Sequence, residues 1–368
     1  MSTAAEQAED HGQARDALVE RLFGAALGAF DLMGVYLGDR LGLYQAMAGA
    51  GPMTAAELAN RAGIAERYAR EWLEQQAMGA ILAAVDEHAS DAERRYELPA
   101  GHEEALTDEA SLAFVAPVAQ LVVACGRPLP ALTAAYRSGD GLPFADYGED
   151  LIDSQARFTA PMFDRLLADD WLGAIPPVRE RLTSDPPARV ADLACGEGRS
   201  SLAIARGYPK VTVDGVDLDE ASIRKAEAGL AGSGLEDRVR FHCRDAADPH
   251  LAAPYDLVFV FESLHDMARP VDVLGAARAM LAPRGCVVIG DERVADRFSL
   301  DAGDVERFFY GCSITHCLPV GMVGDDPAGT GTVMRADTVR QYATDAGFTG
   351  FEVLAIDNDF YRFYRLTP

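Results

Sequence analysis

Two stretches of this chain carry residues whose types and spacing could do chemistry. The first begins with Val190-Ala191-Asp192-Leu193-Ala194-Cys195-Gly196-Glu197-Gly198-Arg199-Ser200. An apolar run, two spaced glycines and a helix start describe a strand that turns tightly into a helix. The turn leaves backbone amides open to a carboxylate or phosphate. Nineteen residues after Gly198, at the end of the next apolar run, stands Asp217, followed by Leu218. An acid at that place accepts the ribose hydroxyls of an adenosine-bearing cofactor. A third run ends in Cys243-Arg244-Asp245-Ala246, which suits an adenine amino group. Asp192, Ala194, Cys195, Gly196, Gly198, Asp217, Leu218, Asp245, Ala246 and Glu262 are therefore expected around one cofactor. A nicotinamide dinucleotide would need a third glycine where Ser201 stands. Asp192, placed before the loop, also favours a sulfonium over a pyrophosphate.

The second stretch is Phe261-Glu262-Ser263-Leu264-His265-Asp266-Met267. It follows a fourth apolar run, and in a doubly wound sheet that end borders the ligand crevice. A histidine there suits general-base work because its pKa lies near neutrality, so His265 and Asp266 are the catalytic candidates. A second histidine, His316, sits in Tyr310-Gly311-Cys312-Ser313-Ile314-Thr315-His316-Cys317-Leu318-Pro319. His265, Asp266 and His316 make two histidines and one carboxylate, a set that suits an iron site with open positions. A zinc site from Cys312, His316 and Cys317 lacks a fourth ligand. His265 thus stands as a base or as a metal ligand. Tyr147, Phe163, Phe309, Tyr310 and His316 are expected to wall the substrate pocket.

The elements that must position these groups fall into regions of different texture. Residues 1–16 are polar and are expected as a flexible tail. Residues 17–105 read as helices followed by a small wing. Leu18, Leu22, Phe23, Ala26, Leu27 and Phe30 recur at helical spacing, Thr54-Ala55-Ala56-Glu57 has the form of a capping box, and Ala80–Leu82 could pair with Arg95–Leu98. The outline is a winged helix, whose second helix sets Arg67 and Arg70 against Glu66, Glu71 and Glu74. That acidic surface favours dimerisation over DNA reading. Residues 106–182 read as a helical connector lining the pocket, broken at several prolines including Pro161.

From 183 to 368 short β-rich runs alternate with helical segments: Arg189–Ala194, Val211–Leu218, Val239–Cys243, Tyr255–Phe261, Cys286–Gly290, Phe351–Ile356 and Phe360–Leu366. This predicts an α/β fold with a doubly wound, Rossmann-like seven-stranded sheet. Three residues join the last two runs, which permits an antiparallel hairpin and no parallel crossover. Residues 301–335 form a long insertion expected to act as a lid.

On these residues the chain resembles the class I S-adenosylmethionine-dependent methyltransferases. Asp192, Gly196 and Gly198 match their first motif, with Ala194 in place of the usual first glycine. Leu264, His265 and Asp266 match the Leu-His-Asp-(Trp) motif of two-domain small-molecule O-methyltransferases, while Met267 departs from it. The resemblance implies S-adenosylmethionine as cofactor and His265 as base. It also implies strand order 3-2-1-4-5-7-6 and a winged-helix-like N-terminal domain that makes a homodimer. It asks for an acid after strand five, which Asp291 or Glu292 can supply, and for a second acid where Val333 stands. Some bacterial enzymes similar to this chain methylate the carbon beside a 2-oxo acid carbonyl and use a His-Asp…His metal site. The expected function is transfer of a methyl group to oxygen, or to an enolisable carbon, of a small-molecule acceptor. The alternative is a regulator that senses S-adenosylmethionine and binds DNA through its winged helix.

Composition bounds these readings. The 368 residues carry 33 basic and 58 acidic side chains, a net charge of −25. So acidic a chain is repelled by nucleic-acid phosphates and anionic lipid. No apolar run reaches the ~18 residues of a membrane span, and no signal segment is evident. Six cysteines dispersed through 368 residues read as reduced thiols rather than a disulfide scaffold. A cytoplasmic protein without nucleic-acid or membrane partners is expected.

Overall fold

The computed structural model describes residues 4–251 and 254–368, with side chains from residue 10 onward. The chain forms two compact units, Met1–Val123 and Ala124–Pro368. The stretch 106–182, expected as one connector, is divided between them.

The first unit contains α1 (Ala4–Arg40), α2 (Leu43–Met47), α3 (Ala55–Ala62), α4 (Glu66–Met78), β1 (Ala83–Ala84), β2 (Tyr96–Glu97) and α5 (Ala100–Thr107). The segment expected as a flexible tail is instead helical from Ala4 onward; its alanines, glutamates and glutamine are strong helix formers. The capping box forms as expected. Thr54 Oγ1 accepts from the Glu57 amide at 3.3 Å, and Glu57 Oε2 accepts from the Thr54 amide at 2.8 Å. The wing strand lies later than expected, because the Ile81 and Leu82 amides are used to close α4 on the Gln76 carbonyl. Arg67 and Arg70 on α4 pair with Glu71 and Glu66. Along α1 the apolar face forms as expected, but Leu22, Phe23, Leu27 and Phe30 are more than half exposed within the chain.

Helix α6 (Ala116–Gly126) spans the boundary between the units. The second unit continues with α7 (Leu129–Ser138), a 3₁₀ turn Phe144–Tyr147, α8 (Glu149–Met162), a π-wound segment Phe163–Leu172 and α9 (Pro176–Thr183). Pro161 does not break the helix as expected. It lies near the end of α8, where its missing N–H coincides with the change to π winding. Then follow β3 (Arg189–Leu193), α10 (Arg199–Gly207), β4 (Thr212–Asp217), α11 (Glu220–Leu230), β5 (Val239–Cys243) and β6 (Tyr255–Phe261). The chain ends with α12 (Pro270–Ala279), β7 (Leu281–Glu292), α13 (Gly303–Cys312), a π turn Ser313–Cys317, α14 (Leu318–Gly321), α15 (Ala336–Asp345), β8 (Gly350–Val353) and β9 (Tyr361–Thr367).

The seven-stranded sheet runs β5-β4-β3-β6-β7-β9-β8, with β9 antiparallel to both its neighbours and the other pairs parallel. Counted within the sheet this is the expected order 3-2-1-4-5-7-6. Strand β6 is apolar on both faces because both are covered. Leu257, Phe259 and Phe261 pack into one core with Leu167, Trp171 and Phe363, whereas Val258 and Val260 pack into the other with Leu274, Ile289 and Tyr364. Strands β4 and β6 flank β3, so the crevice opens where the order reverses, at the carboxyl ends of β3 and β6. No single helix among the described residues is long and apolar enough to cross a membrane; only the bent pair α6 and α7, taken together, meets that test.

Candidate active site

A cavity of about 660 Å³ opens at those carboxyl ends, within the second unit. Its cofactor half is built by the loops after β3, β4 and β5. Asp192, Ala194, Cys195, Gly196, Asp217, Leu218, Asp245, Ala246 and Glu262 all line it. Gly198 does not. A Cβ there would stand 2.3 Å from Phe241 Cζ, on a backbone at φ +73. Gly198 is therefore required by packing. Gly196 has φ +53 and nothing within 4 Å of a Cβ, so it leaves open space beside the loop.

The acids of this half hold the loop as well as facing the cavity. Asp217 accepts from the Gly196 and Asp219 amides, each at 2.8 Å. Asp192 accepts from the hydroxyls of Ser200 and Ser201, both at 2.6 Å, at the start of α10. Burial pushes the Asp192 carboxyl up to about 6 against those hydrogen bonds. Asp245 accepts from the Ala247 amide at 2.8 Å and from Arg269 at 3.2 Å.

The opposite half is apolar. Pro143, Phe144, Ala145, Ile152, Ala156, Phe163, Val320 and Val323 line it, with Gln155 and Thr159 as its polar groups. Ile152, Gln155, Ala156 and Thr159 stand at i, i+3, i+4 and i+7 on α8. That spacing was legible in the sequence as one helix face and marks residues the motif reading missed. Among the expected wall residues, Phe163 lines the cavity, and Tyr147, Phe309, Tyr310 and His316 do not. Tyr147 is fully buried and donates its hydroxyl to the Thr315 carbonyl at 2.8 Å. The Tyr310 hydroxyl accepts from Arg335 at 3.2 Å. The insertion over 301–335 reaches the cavity through Val320 and Val323. It is tied down by Gly331 N–H donating to the His265 carbonyl at 3.0 Å and by Ala328 N–H donating to the Ala268 carbonyl at 2.8 Å.

Between the halves stand Glu262, Ser263 and Asp266, at the end of β6 and in the 3₁₀ turn Leu264–Asp266. Glu262 sits at φ +51, a backbone region most side chains avoid. Burial pushes both carboxyls up to about 7; for Asp266 the charge of His265 pulls the other way. His265, expected to face the acceptor, does not line the cavity and is 2% exposed. Its Nδ1 lies 2.9 Å from both Asp291 Oδ1 and Glu292 Oε2, and its N–H is directed at Asp291. These acids end β7, the strand beside β6, so parallel pairing brings them together. Burial opposes a charge on His265, but Glu292 and Asp291 outweigh it and hold the ring well above its ordinary range. Burial likewise opposes ionisation of Asp291, yet His265 keeps its carboxyl low. Glu292, left as the second acid, is pushed well above the carboxylate range by burial.

The expected metal set does not assemble. Among the described residues, the one group of three whose ligand atoms all lie within 4.8 Å is His265, Asp291 and Glu292, and the Nδ1 proton already binds it. His316 points its Nδ1 at the Cys317 sulfur, 3.3 Å away, and meets the Tyr147 ring edge-on at 4.7 Å. Burial pushes its pKa down to about 3, so it is neutral.

Comparison with known proteins agrees with this architecture. A model described as "Methyltransferase domain" matches residues 184–325, and one described as "Rv2258c-like winged HTH domain" matches residues 28–108. The chain is 32% identical over 104 residues to 27-O-demethylrifamycin SV methyltransferase of Amycolatopsis mediterranei (strain S699). That match spans 28% of this chain and 38% of the relative, so the chain covers under two fifths of that protein's length. Its fold is similar to mitomycin 7-O-methyltransferase MmcR, with TM-score 0.69, 17% identity and coverage of 97% of this chain and 100% of that one. It is also similar to PigF with SAH, with TM-score 0.71, 17% identity and coverage of 95% and 99%. Residues 184–325 thus match a methyltransferase domain and residues 28–108 a Rv2258c-like winged helix, and the fold is that of the methyltransferase structures it resembles.

Proposed function

We propose that this chain transfers a methyl group from S-adenosylmethionine to a neutral, largely apolar small molecule that bears a hydroxyl. The cavity itself carries this reading. One half offers glycine-loop amides, Asp217 and Asp245, a set that suits an aminoacyl sulfonium nucleoside. The other half holds no cation among the described residues. The cavity's two arginines, Arg199 and Arg269, lie at the cofactor end beside Glu197 and Asp245. A 2-oxo acid would bring a carboxylate toward Glu262 and Asp266 with no free cation to meet it, so the hydroxyl acceptor is the better fit.

S-adenosylmethionine, when bound, supplies an activated methyl on a good leaving group. The chain's own part is to align the acceptor with it and to exclude water. Phe163, Ile152 and Val320 supply an apolar wall for the acceptor. Asp266 is the titratable group placed to accept the hydroxyl proton, with a pKa near neutrality that suits that task. His265, one layer behind and held by Asp291, keeps Asp266 ionisable through its positive charge. Residues His265, Asp266 and His316 offer no common metal position, and no step here depends on one.

The exposed apolar face of α1, with Leu22, Phe23, Leu27 and Phe30, supports a homodimer. The paired arginines of α4 leave no cationic reading face, so the regulator is not favoured, and a cytoplasmic site of action follows from the enzyme reading. Calorimetry with S-adenosylhomocysteine, and labelled methyl transfer to a panel of apolar hydroxyl compounds and 2-oxo acids, test the proposal. Methylation confined to 2-oxo acids would overturn the acceptor assignment, and no binding of S-adenosylhomocysteine would overturn the whole reading.

A further inference from the structure

Lys225 connects the two halves of the cavity. It sits on α11, whose N-cap Asp219 accepts from the Ser222 amide at 2.7 Å, and both Asp219 and Ser222 line the cofactor half. The Lys225 ammonium reaches Glu197, at 3.2 Å, between the two glycines of the loop after β3. It also pairs with Asp153 on α8. Asp153 stands between Ile152 and Gln155, two of the side chains that wall the acceptor half. One half-buried cation therefore holds an acid of the cofactor loop and an acid of the acceptor wall.

We infer that Lys225 is a positioning residue that couples cofactor binding to ordering of the acceptor wall on α8. The physical basis is charge. Glu197 and Asp153 repel one another, and Lys225 turns that repulsion into two attractions in a partly desolvated place. A ligand that settles the glycine loop fixes Glu197, hence Lys225, hence Asp153 and the helix that carries Ile152, Gln155, Ala156 and Thr159. Without the ammonium, the link between the loop acid and the wall acid is lost. The inference rests on the cofactor reading above, since its ligand is the one proposed for that half.

Hydrogen exchange of the full-length protein, with and without S-adenosylhomocysteine, tests it. In the parent chain the ligand is expected to slow exchange in peptides from both 193–199 and 149–162, by about fivefold or more in the second, as a coupling of 1–3 kcal/mol requires. In Lys225→Met the loop peptide still responds and the 149–162 peptide does not, and Lys225→Arg restores the response. Asp153→Asn removes only the wall's side of the pair and should repeat the Lys225→Met pattern, which keeps the test open if that variant fails to fold. Equal protection of 149–162 in Asp153→Asn and the parent overturns the coupling. So does a parent chain whose 149–162 peptide ignores bound ligand. Failure of the parent to bind S-adenosylhomocysteine is a separate result that removes the cofactor reading and the coupling with it.

Discussion

His265 and Asp291 meet across the carboxyl ends of two adjacent parallel strands, Nδ1 to Oδ1 at 2.9 Å, both nearly inaccessible to water. The pairing draws the imidazole behind the cavity wall and leaves Asp266 at the surface. Removing the ring strands two acids. His265→Ala should lose about 3–5 kcal/mol, the usual result of breaking a buried ion pair. Chemical denaturation of the variant measures it, and an undiminished midpoint would mean that the charges are not paired.

Asp266 meets the cavity with a carboxyl near 7. Its ionised form accepts the proton, so kcat/KM should rise with pH through about 7 and level off above it. Asp266→Asn should leave affinity for S-adenosylhomocysteine nearly unchanged and cut turnover by about 10²-fold or more. A variant that keeps its turnover and pH profile would move the proton acceptor elsewhere.

Asp192 is raised by burial from 3.8 to about 6. The folded chain binds that proton more tightly than the unfolded one, so the contribution to stability is full below about pH 4 and is lost as pH rises through 6. Its size is about 3 kcal/mol. Asp192→Asn keeps an acceptor for Ser200 and Ser201 and should flatten this part of the ligand-free chain's stability profile. Parallel profiles for parent and variant between pH 4 and 7 would contradict it.

The two loop glycines should separate in their roles. Gly198→Ala drives a methyl into Phe241 and adds strain at φ +73; a cost of about 1–3 kcal/mol is expected. Gly196→Ala meets no atom within 4 Å, so its stability cost should be smaller. Its effect should fall on S-adenosylhomocysteine affinity, since the new methyl stands beside the loop that holds the ligand. Melting curves and calorimetry on both variants distinguish these outcomes.

Phe23 is 66% exposed on α1. Placing a charge there, as Phe23→Glu, should convert a dimer to monomers in sedimentation velocity and leave S-adenosylhomocysteine binding in place. A parent chain that sediments as a monomer at micromolar concentration would remove the proposed dimer.

Much of the fold was legible in the residues. The boundaries of β6 match the apolar run Tyr255–Phe261, since a strand buried on both faces leaves a continuous run that ends where the loops begin. The residues proposed to hold the cofactor were legible as the lining of one half of the cavity because they are local, set on turns directly after strands. The wall was not. Tyr147, Phe309 and Tyr310 are aromatic residues near the crevice in sequence, but the structure commits their hydroxyls or rings elsewhere, whereas one face of α8 lines the cavity beside the expected Phe163.

The sequence by itself determined the alternation of strands and helices, the glycine turn and the acids at the strand ends. These follow from local backbone preference and from the period of burial, both written in neighbouring residues. Tertiary structure alone decided which way each side chain of Leu264-His265-Asp266 points. That choice depends on where β7 brings Asp291 and Glu292, two buried acids of which the first pairs with the imidazole, and no spacing within a single segment encodes the meeting of two strands.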